Sequence, residues 1–383
     1  MAAIDLTRNP LGTRSRLGTS GLSPLQRYLH LDGTLLTALL LVALFGLAVL
    51  YSSFGENPAQ VQKQLIRLGI AFSVMLAMAQ IPPSTLRRWT PWLFAAGVVM
   101  LLAVMVLGVM GKGAQRWLDL GIVRFQPSEL MKLAIPMMVA WWLAERPLPP
   151  NWRSIVICGT FILVPTALIA LQPDLGTAVV TAASGFFVLY LAGLRWRWIF
   201  ALLALLAAAA PLLWFFVMQD YQQQRVLTFL NPERDPLGAG YHIMQSKIAI
   251  GSGGLFGKGW LNGTQAHLDF LPERHTDFVM AVVSEEFGLV GVVQLLAVYL
   301  FIVGRGLWIA VNAQDTWSRL VGGSLALTFF VYVFVNAGMV SGLLPVVGLP
   351  LPLVSFGGTS LVTVMAAFGI LMSIHTHRRI WSS

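Results

Sequence analysis

Leu-Pro-Glu-Arg-His-Thr-Asp-Phe, residues 271 to 278, sets four ionisable side chains directly ahead of a long apolar stretch. The apolar run continues from Phe278, which places Asp277 at the edge of a hydrocarbon layer. Ionisable groups at that depth are costly to desolvate, so each is read first as functional. As a site group Asp277 would be partly desolvated, with Arg274 and nearby lysines offsetting the cost of its charge. A carboxylate poised in this way accepts a proton near neutral pH. Capping of the next helix is the alternative reading, and it needs no chemistry. Glu285 and Glu286 follow about two turns further along, and at least one of them must face protein or water. His275 and His267 are weak candidates for metal ligands.

Other polar segments interrupt the apolar sequence. Gln126-Pro127-Ser128-Glu129 starts a helix: proline suits a first turn, Ser128 can cap, and Glu129 favours the positive helix end. Lys132 follows at i+3, so it can pair with Glu129, either as a structural lock or as the wall of a cavity. Gln172-Pro173-Asp174-Leu175-Gly176-Thr177 is a tight turn in which Asp174 caps the next helix and Gly176 permits close packing. Asp174 facing a cavity is the other reading. Residues 245–259 read as a short amphipathic helix ending at Gly251, followed by glycines whose backbone N–H groups could cradle phosphate beside Lys247 and Lys258. Arg225, Asn231, Glu233, Arg234 and Asp235 read as a solvated turn. From Asn336 to Ser360, Pro345, Pro350 and Pro352 break helices, and irregular backbone at membrane depth is tolerated only against protein or a wet cavity.

These residues need a scaffold, and composition says which kind. The chain has 383 residues, 57% of them hydrophobic and 11% charged, with a mean hydropathy of +0.74. That excludes a soluble domain and implies an all-α polytopic membrane protein. Ten low-charge windows fit a hydrocarbon core of roughly 30 Å, at about 34–52, 62–80, 91–110, 128–145, 154–171, 176–193, 198–218, 277–304, 319–340 and 354–374. A polar, basic tail over residues 1–30 precedes one membrane domain, 31–383, which carries a large extracytoplasmic loop at 219–275. The tail holds no apolar core of a cleavable signal. Placing both termini in the cytoplasm gathers most arginines, from Arg8 to Arg379, on that side. All five lysines then fall in or beside the outer segments, as does the short 111–127 loop with Lys112, Arg116 and Arg124. An anionic ligand at the outer face explains that load. Cys158, the single cysteine, excludes an intramolecular disulfide and a zinc cluster, and reads as a buried core thiol.

Four motifs in order, Gln-Pro-Ser-Glu-x-x-Lys at 126–132, Gln-Pro-Asp-Leu-Gly-Thr at 172–177, His-Thr-Asp-Phe at 275–278 and the proline-broken segment ending at Ser360, resemble the SEDS family of RodA, FtsW and SpoVE. Pro-Glu-Arg-His-Thr-Asp-Phe, preceded by Gly-Thr-Gln at 263–265, is similar to the RodA branch. Phe356 departs from the tyrosine of many members. The resemblance implies a ten-helix peptidoglycan glycosyltransferase of the elongation machinery in the cell inner membrane. It implies lipid II as substrate, a class B penicillin-binding protein transpeptidase and other elongation-complex membrane proteins as partners, and no nucleic acid. The family's essential aspartate matches Asp277, its sensitive first-loop residues match Arg116 and Trp117, and its fourth-span acid and lysine match Glu129 and Lys132.

The residues suit that chemistry. A sugar hydroxyl is a poor nucleophile near neutral pH, so Asp277 is expected to act as general base in an inverting transfer. Arg116, Lys132, Lys247, Lys258 and Arg274 are the expected cations for a departing diphosphate, with or without Mg²⁺ or Mn²⁺. Trp117 could stack on a sugar ring, and His275 completes the expected substrate-binding set. The competing expectation is a flippase for lipid-linked sugar, since broken helices and embedded charges also suit transport. The outward clustering of ionisable motifs favours a polymerase with one fixed working face.

Overall fold

The computed structural model describes residues 29–111, 114–119, 121, 124–218, 220–231, 238–268, 270–271 and 273–377. The basic tail to residue 28, Lys112, residues 233–235 and Arg379 lie outside the described residues. The expected helices begin where the sequence offers a cap or a proline. Helix α1 (Gly33–Ser53) starts at Asp32, whose carboxylate accepts from Leu35 N–H. Next, α2 (Pro58–Gln80) starts at Asn57 with Pro58 in its first turn, and α3 (Pro83–Leu107) again opens on proline. A small antiparallel sheet follows, in the order β1 (Val109–Gly111), β2 (Ala114–Asp119), β3 (Arg124–Phe125). Then come α4 (Pro127–Leu143), α5 (Trp152–Leu171), α6 (Leu175–Leu191) and α7 (Trp196–Leu212), which runs on into a π-helical turn at Leu213–Val217. The large loop contains α8 (Asp220–Leu230), α9 (Ala239–Gly253) and the single turn α10 (Thr264–His267). The bundle closes with α11 (Val279–Val311), α12 (Thr316–Val340) and α13 (Thr359–Thr376).

Among the described residues, eight helices are long and apolar enough to cross a membrane. The other two expected windows fall on α4 and α6, of 17 residues each. Packing is tightest between α2 and α13, between α11 and α12, and around α4 and α6. By contrast, α7 buries none of its residues, which suits a surrounding of hydrocarbon.

Two departures from regular helix shape the interior. At Gly288 (φ 64°, ψ −165°) α11 breaks, and the glycine-rich loop after α9 fills the gap. Lys258 N–H and Gly259 N–H donate to the carbonyls of Glu285 and Glu286 at 2.9 and 3.0 Å, and Leu289 and Val290 N–H donate to Gly254 and Leu255 carbonyls. Backbone groups freed by the break are therefore paired with backbone, as a lipid surrounding demands. The glycines serve this close contact: a Cβ on Gly257 would lie 2.1 Å from the Glu286 carbonyl oxygen. Those N–H groups are thus spent on α11, and the phosphate-cradle expectation for the loop is corrected. The second departure is the non-helical segment 341–358, which dips against α1 and α6. Gly46 and Gly176 admit it, since a Cβ on either would come within 2.5 Å of the Leu353 or Val347 carbonyl oxygen. Tyr299 donates to the Pro352 carbonyl at 2.6 Å, so that proline-freed acceptor is satisfied inside the core.

At the far end from Asp277, Asp32 ties three elements together. Arg305 on α11 approaches its carboxylate with Nη2 at 2.6 Å, His375 on α13 with Nδ1 at 2.9 Å, and Leu35 N–H at 2.8 Å. Burial alone would raise this carboxyl's pKa, but the hydrogen bonds from His375, Arg305 and Leu35 outweigh it and hold the group well below the usual carboxylate range.

Candidate functional site

The turn 273–278 is positioned through its main chain. Three consecutive carbonyls, those of His275, Thr276 and Asp277, each accept from a different residue of the segment between α12 and α13 or from α12 itself. Phe356 N–H donates to His275 at 2.7 Å, Ser355 Oγ donates to Thr276 at 2.5 Å, and Asn336 Nδ2 donates to Asp277 at 2.9 Å. Asn336, itself buried, also donates to the Leu349 carbonyl at 2.7 Å, and Leu351 N–H donates to Ser355 Oγ at 2.8 Å. Gln64 from α2 reaches the Ser355 carbonyl at 3.4 Å. The irregular segment is thereby fastened to the turn, and the turn to the core.

This leaves the side chain of Asp277 half-buried, facing Gly348, where a Cβ would stand 3.5 Å from Oδ2. Helix α11 takes Phe278 as its N-cap, with no side-chain cap bond, so Asp277 does not serve as the cap. Phe278 is buried with its ring stacked on His242, which anchors the helix start directly beneath the acid. His275 lies between Phe54 and Phe356, with ring centroids 4.8 and 6.3 Å away. Arg274 Nε donates to the Ser53 carbonyl at 2.6 Å, joining the turn to the end of α1. An apolar groove of about 370 Å³ runs between α9, α11 and α12, lined by Met280, Ser284, Leu296, Phe334 and Leu344, and Met280 follows Asp277 by three residues. An acid close in sequence to such a groove can act on the polar end of an amphiphile whose chain lies in hydrocarbon.

The remaining expected site residues fall into local clusters. Arg116, half-buried on β2, donates from Nε to the Gln172 carbonyl at 3.2 Å and from Nη2 to that of Pro173, with Asp174 3.8 Å from Nη1. Asp174 caps α6 through Thr177 N–H at 3.2 Å and accepts from Gln126 Nε2 at 3.0 Å. Arg116 thus fastens the strand to the 172–174 turn. Trp117 pairs with Val109 across the sheet and is half-buried. Glu129 and Lys132 form a buried ion pair at 2.7 Å, with the ammonium 5.3 Å from the Tyr332 ring centre. The helix there is capped at Gln126, with no side-chain cap bond, so Ser128 is not the cap. Lys258 is bonded to Glu285 at 2.6 Å, and Thr264 Oγ1 and Gln265 N–H share that carboxylate. Glu286 accepts from Ser52, so both acids of α11 face protein. Lys247 is exposed on α9, its stem laid across Gly342, where a Cβ would come within 2.4 Å of Cε.

Sequence reasoning did not single out Gln64, Ser355 or Arg67, the last of which lies 4.1 Å over the Phe356 ring. The signal was available: each is a polar residue in or beside an apolar window. Among the described residues no group of three or more His, Cys, Asp or Glu side chains converges as a metal site.

Comparison with known proteins places this geometry. A family model described as cell cycle protein, covering FtsW, RodA and SpoVE, matches residues 29–380. The chain is similar to the peptidoglycan glycosyltransferase MrdB of Escherichia coli K12, with 55% identity over 353 residues, 92% of this chain and 95% of that one. It also resembles a probable peptidoglycan glycosyltransferase FtsW of Idiomarina loihiensis, at 39% identity over 81% of this chain and 76% of the relative. Among solved structures, a chain from a peptidoglycan synthase complex studied for the coordination of polymerization and crosslinking aligns with a TM-score of 0.79 at 32% identity, covering 90% of this chain and 97% of that chain. The rod shape determining protein RodA of Thermus thermophilus aligns with a TM-score of 0.69 at 30% identity, covering 91% and 98%.

Proposed function

The chain belongs to the FtsW, RodA and SpoVE family of cell cycle proteins and is a membrane-embedded peptidoglycan glycosyltransferase; from that premise we propose that it polymerises lipid II with Asp277 as general base. The observation that carries the assignment is the turn itself: its three carbonyls are fixed by Phe356, Ser355 and Asn336, while Asp277 stays half-exposed and the helix it precedes lines an apolar groove from Met280 onward.

The acceptor's sugar hydroxyl gives its proton to Asp277 as it attacks the anomeric carbon of the donor. Configuration inverts, and the lipid diphosphate leaves with the bonding electrons. General base assistance of this kind contributes roughly 10²- to 10⁴-fold. The diphosphate is a good leaving group once its charge is neutralised, so cations near the turn take the place of a general acid. The groove beside Met280 and Phe334 receives the first isoprenoid units of the lipid chain. A Mg²⁺ or Mn²⁺ ion belongs to the same proposal: Asp277 would be the protein carboxylate to help hold it, and the ion would supply positive charge to the diphosphate.

The Asp277 end faces the periplasm and both termini face the cytoplasm, which puts most arginines inside. A class B penicillin-binding protein transpeptidase and other elongation-complex membrane proteins are the expected partners. Detergent-solubilised protein supplied with lipid II tests the scheme, because without leaflets a flippase has nothing to do. Glycan strands from wild type, with a loss of at least about 100-fold in Asp277→Asn, are expected. Equal rates in the two proteins would remove Asp277 from its role, and no strands from wild type plus its transpeptidase would favour transport.

A further inference from the structure

Arg67 stands nine residues into α2, roughly 14 Å along the helix from its first residue. The expected span opens at about residue 62, so the guanidinium lies roughly 8 Å inside it, where a charge is expensive unless it is paired. Among the described residues no acidic side chain forms an ion pair with it. Lys63 lies one turn earlier on the same face of α2, and like charges at that spacing repel. The contact Arg67 does make is with an aromatic face, its Cζ lying 4.1 Å from the centre of the Phe356 ring. Stacking of that kind offsets only part of the cost of holding the charge there.

The location explains what else the charge could meet. Phe356 is the residue whose N–H holds the His275 carbonyl, two positions from Asp277. Gln64, on the neighbouring face of α2, reaches the Ser355 carbonyl, which clamps this part of α2 against the same turn. Past the ring come two glycines: a Cβ on Gly357 would meet nothing within 4 Å, and one on Gly358 would meet only Arg67 Nε, at 4.0 Å. The guanidinium therefore borders open space lined by bare backbone, and α13 begins there without a side-chain cap.

We infer that Arg67 is a substrate-binding residue that takes the diphosphate of the polyprenyl-linked sugar, an inference that rests on the glycosyltransferase reading. The planar fork matches two phosphate oxygens at once, and the Phe356 ring holds that plane in a fixed orientation. The anion brought by the substrate supplies the counter-charge that the protein withholds, and it does so beside the proposed base.

The test uses the whole protein in detergent and two readouts. In the first, undecaprenyl diphosphate and undecaprenyl monophosphate compete for binding. Wild type is expected to prefer the diphosphate by about tenfold, and Arg67→Gln to lose that preference. In the second, initial rates on lipid II are expected to show KM raised about tenfold in Arg67→Gln, with kcat lowered as well, because the charge on the diphosphate grows as it departs. A folded Arg67→Gln with unchanged preference and unchanged KM overturns the inference. If the glutamine variant does not fold, Arg67→Lys decides: it keeps the charge without the fork, so a partial loss of preference supports the assignment and none overturns it. Should wild type form no strands at all, the activity reading fails by itself, while the diphosphate preference and its dependence on Arg67 still stand or fall in the binding readout.

Discussion

Asp32 and Asp277 stand at opposite ends of the same bundle, each beside α11, and they are held in opposite ways. Asp32 is completely buried, and its carboxylate is the object held, gripped by Arg305, His375 and Leu35 N–H. At Asp277 the grip falls on the main chain of its turn, through Asn336, Ser355 and Phe356, and the carboxylate remains half-exposed. A carboxylate saturated by donors in the ground state gains nothing by taking a proton, so it serves as a rivet. One positioned through its backbone is aimed by contacts that do not draw on its side chain, and it keeps an exposed face. The contrast predicts which substitutions separate activity from stability.

The largest separation is expected from lengthening each acid or removing its charge. Asp277→Glu keeps the carboxylate but moves it by about one methylene, and a misplacement near 1 Å costs on the order of 100-fold in rate. The melting temperature should stay at the wild-type value, because the donors to this turn address carbonyls that the substitution leaves in place. A lipid II polymerisation assay beside thermal unfolding in detergent checks both halves. Loss of stability with activity retained would reverse the assignment of the two ends.

Asp32→Asn should do the opposite. It leaves Arg305 and His375 facing a neutral amide in a buried site, a cost of about 3 kcal/mol, with rate per folded molecule near wild type. The pH arm of this comparison has a definite sign. The folded-state pKa of Asp32 lies below its unfolded value of about 3.9, so its contribution is fully present above about pH 4. It is lost as pH falls further and the carboxylate takes up a proton. Wild type should therefore lose stability faster than Asp32→Asn on acidification below that point. Parallel acid-unfolding curves would show that the Asp32 cluster contributes nothing.

How much of this was legible in the chain differs between the two ends. The helices were, because capping residues and prolines precede nearly every apolar window: Asp32, Asn57, Asn151, Asp174 and Asp315 each accept from the first turn of a helix. The break in α11 was not, since Gly288 sits inside an unbroken apolar run and only the partner loop, some thirty residues earlier, explains it. The same long-range pairing removed the glycine loop from the list of phosphate cradles. Asp277 could be nominated from local sequence because a charge at a membrane edge is informative by itself. What holds it could not, because Asn336, Ser355 and Phe356 lie 59 to 79 positions away and act through main-chain carbonyls that carry no residue-specific signal. Arg116 and Lys258 stood out as cations of polar segments, but a sequence does not show that carbonyls of the 172–174 turn and Glu285 already engage them.

Phe356 offers the finest test, because one position carries both a side chain and a donor N–H. Phe356→Tyr retains the ring against Phe54, His275 and Arg67 and leaves the N–H to the His275 carbonyl intact. If backbone placement is what matters at this end, tyrosine should change stability by less than about 0.5 kcal/mol and leave the polymerisation rate near wild type. Phe356→Pro removes that N–H and, with it, one of the three fixed carbonyls. Its cost should appear in kcat before it appears in folding, since Asn336 and Ser355 still hold the neighbouring residues. A tyrosine variant as impaired as the proline variant would mean that the ring, and not the main chain, sets the position of Asp277.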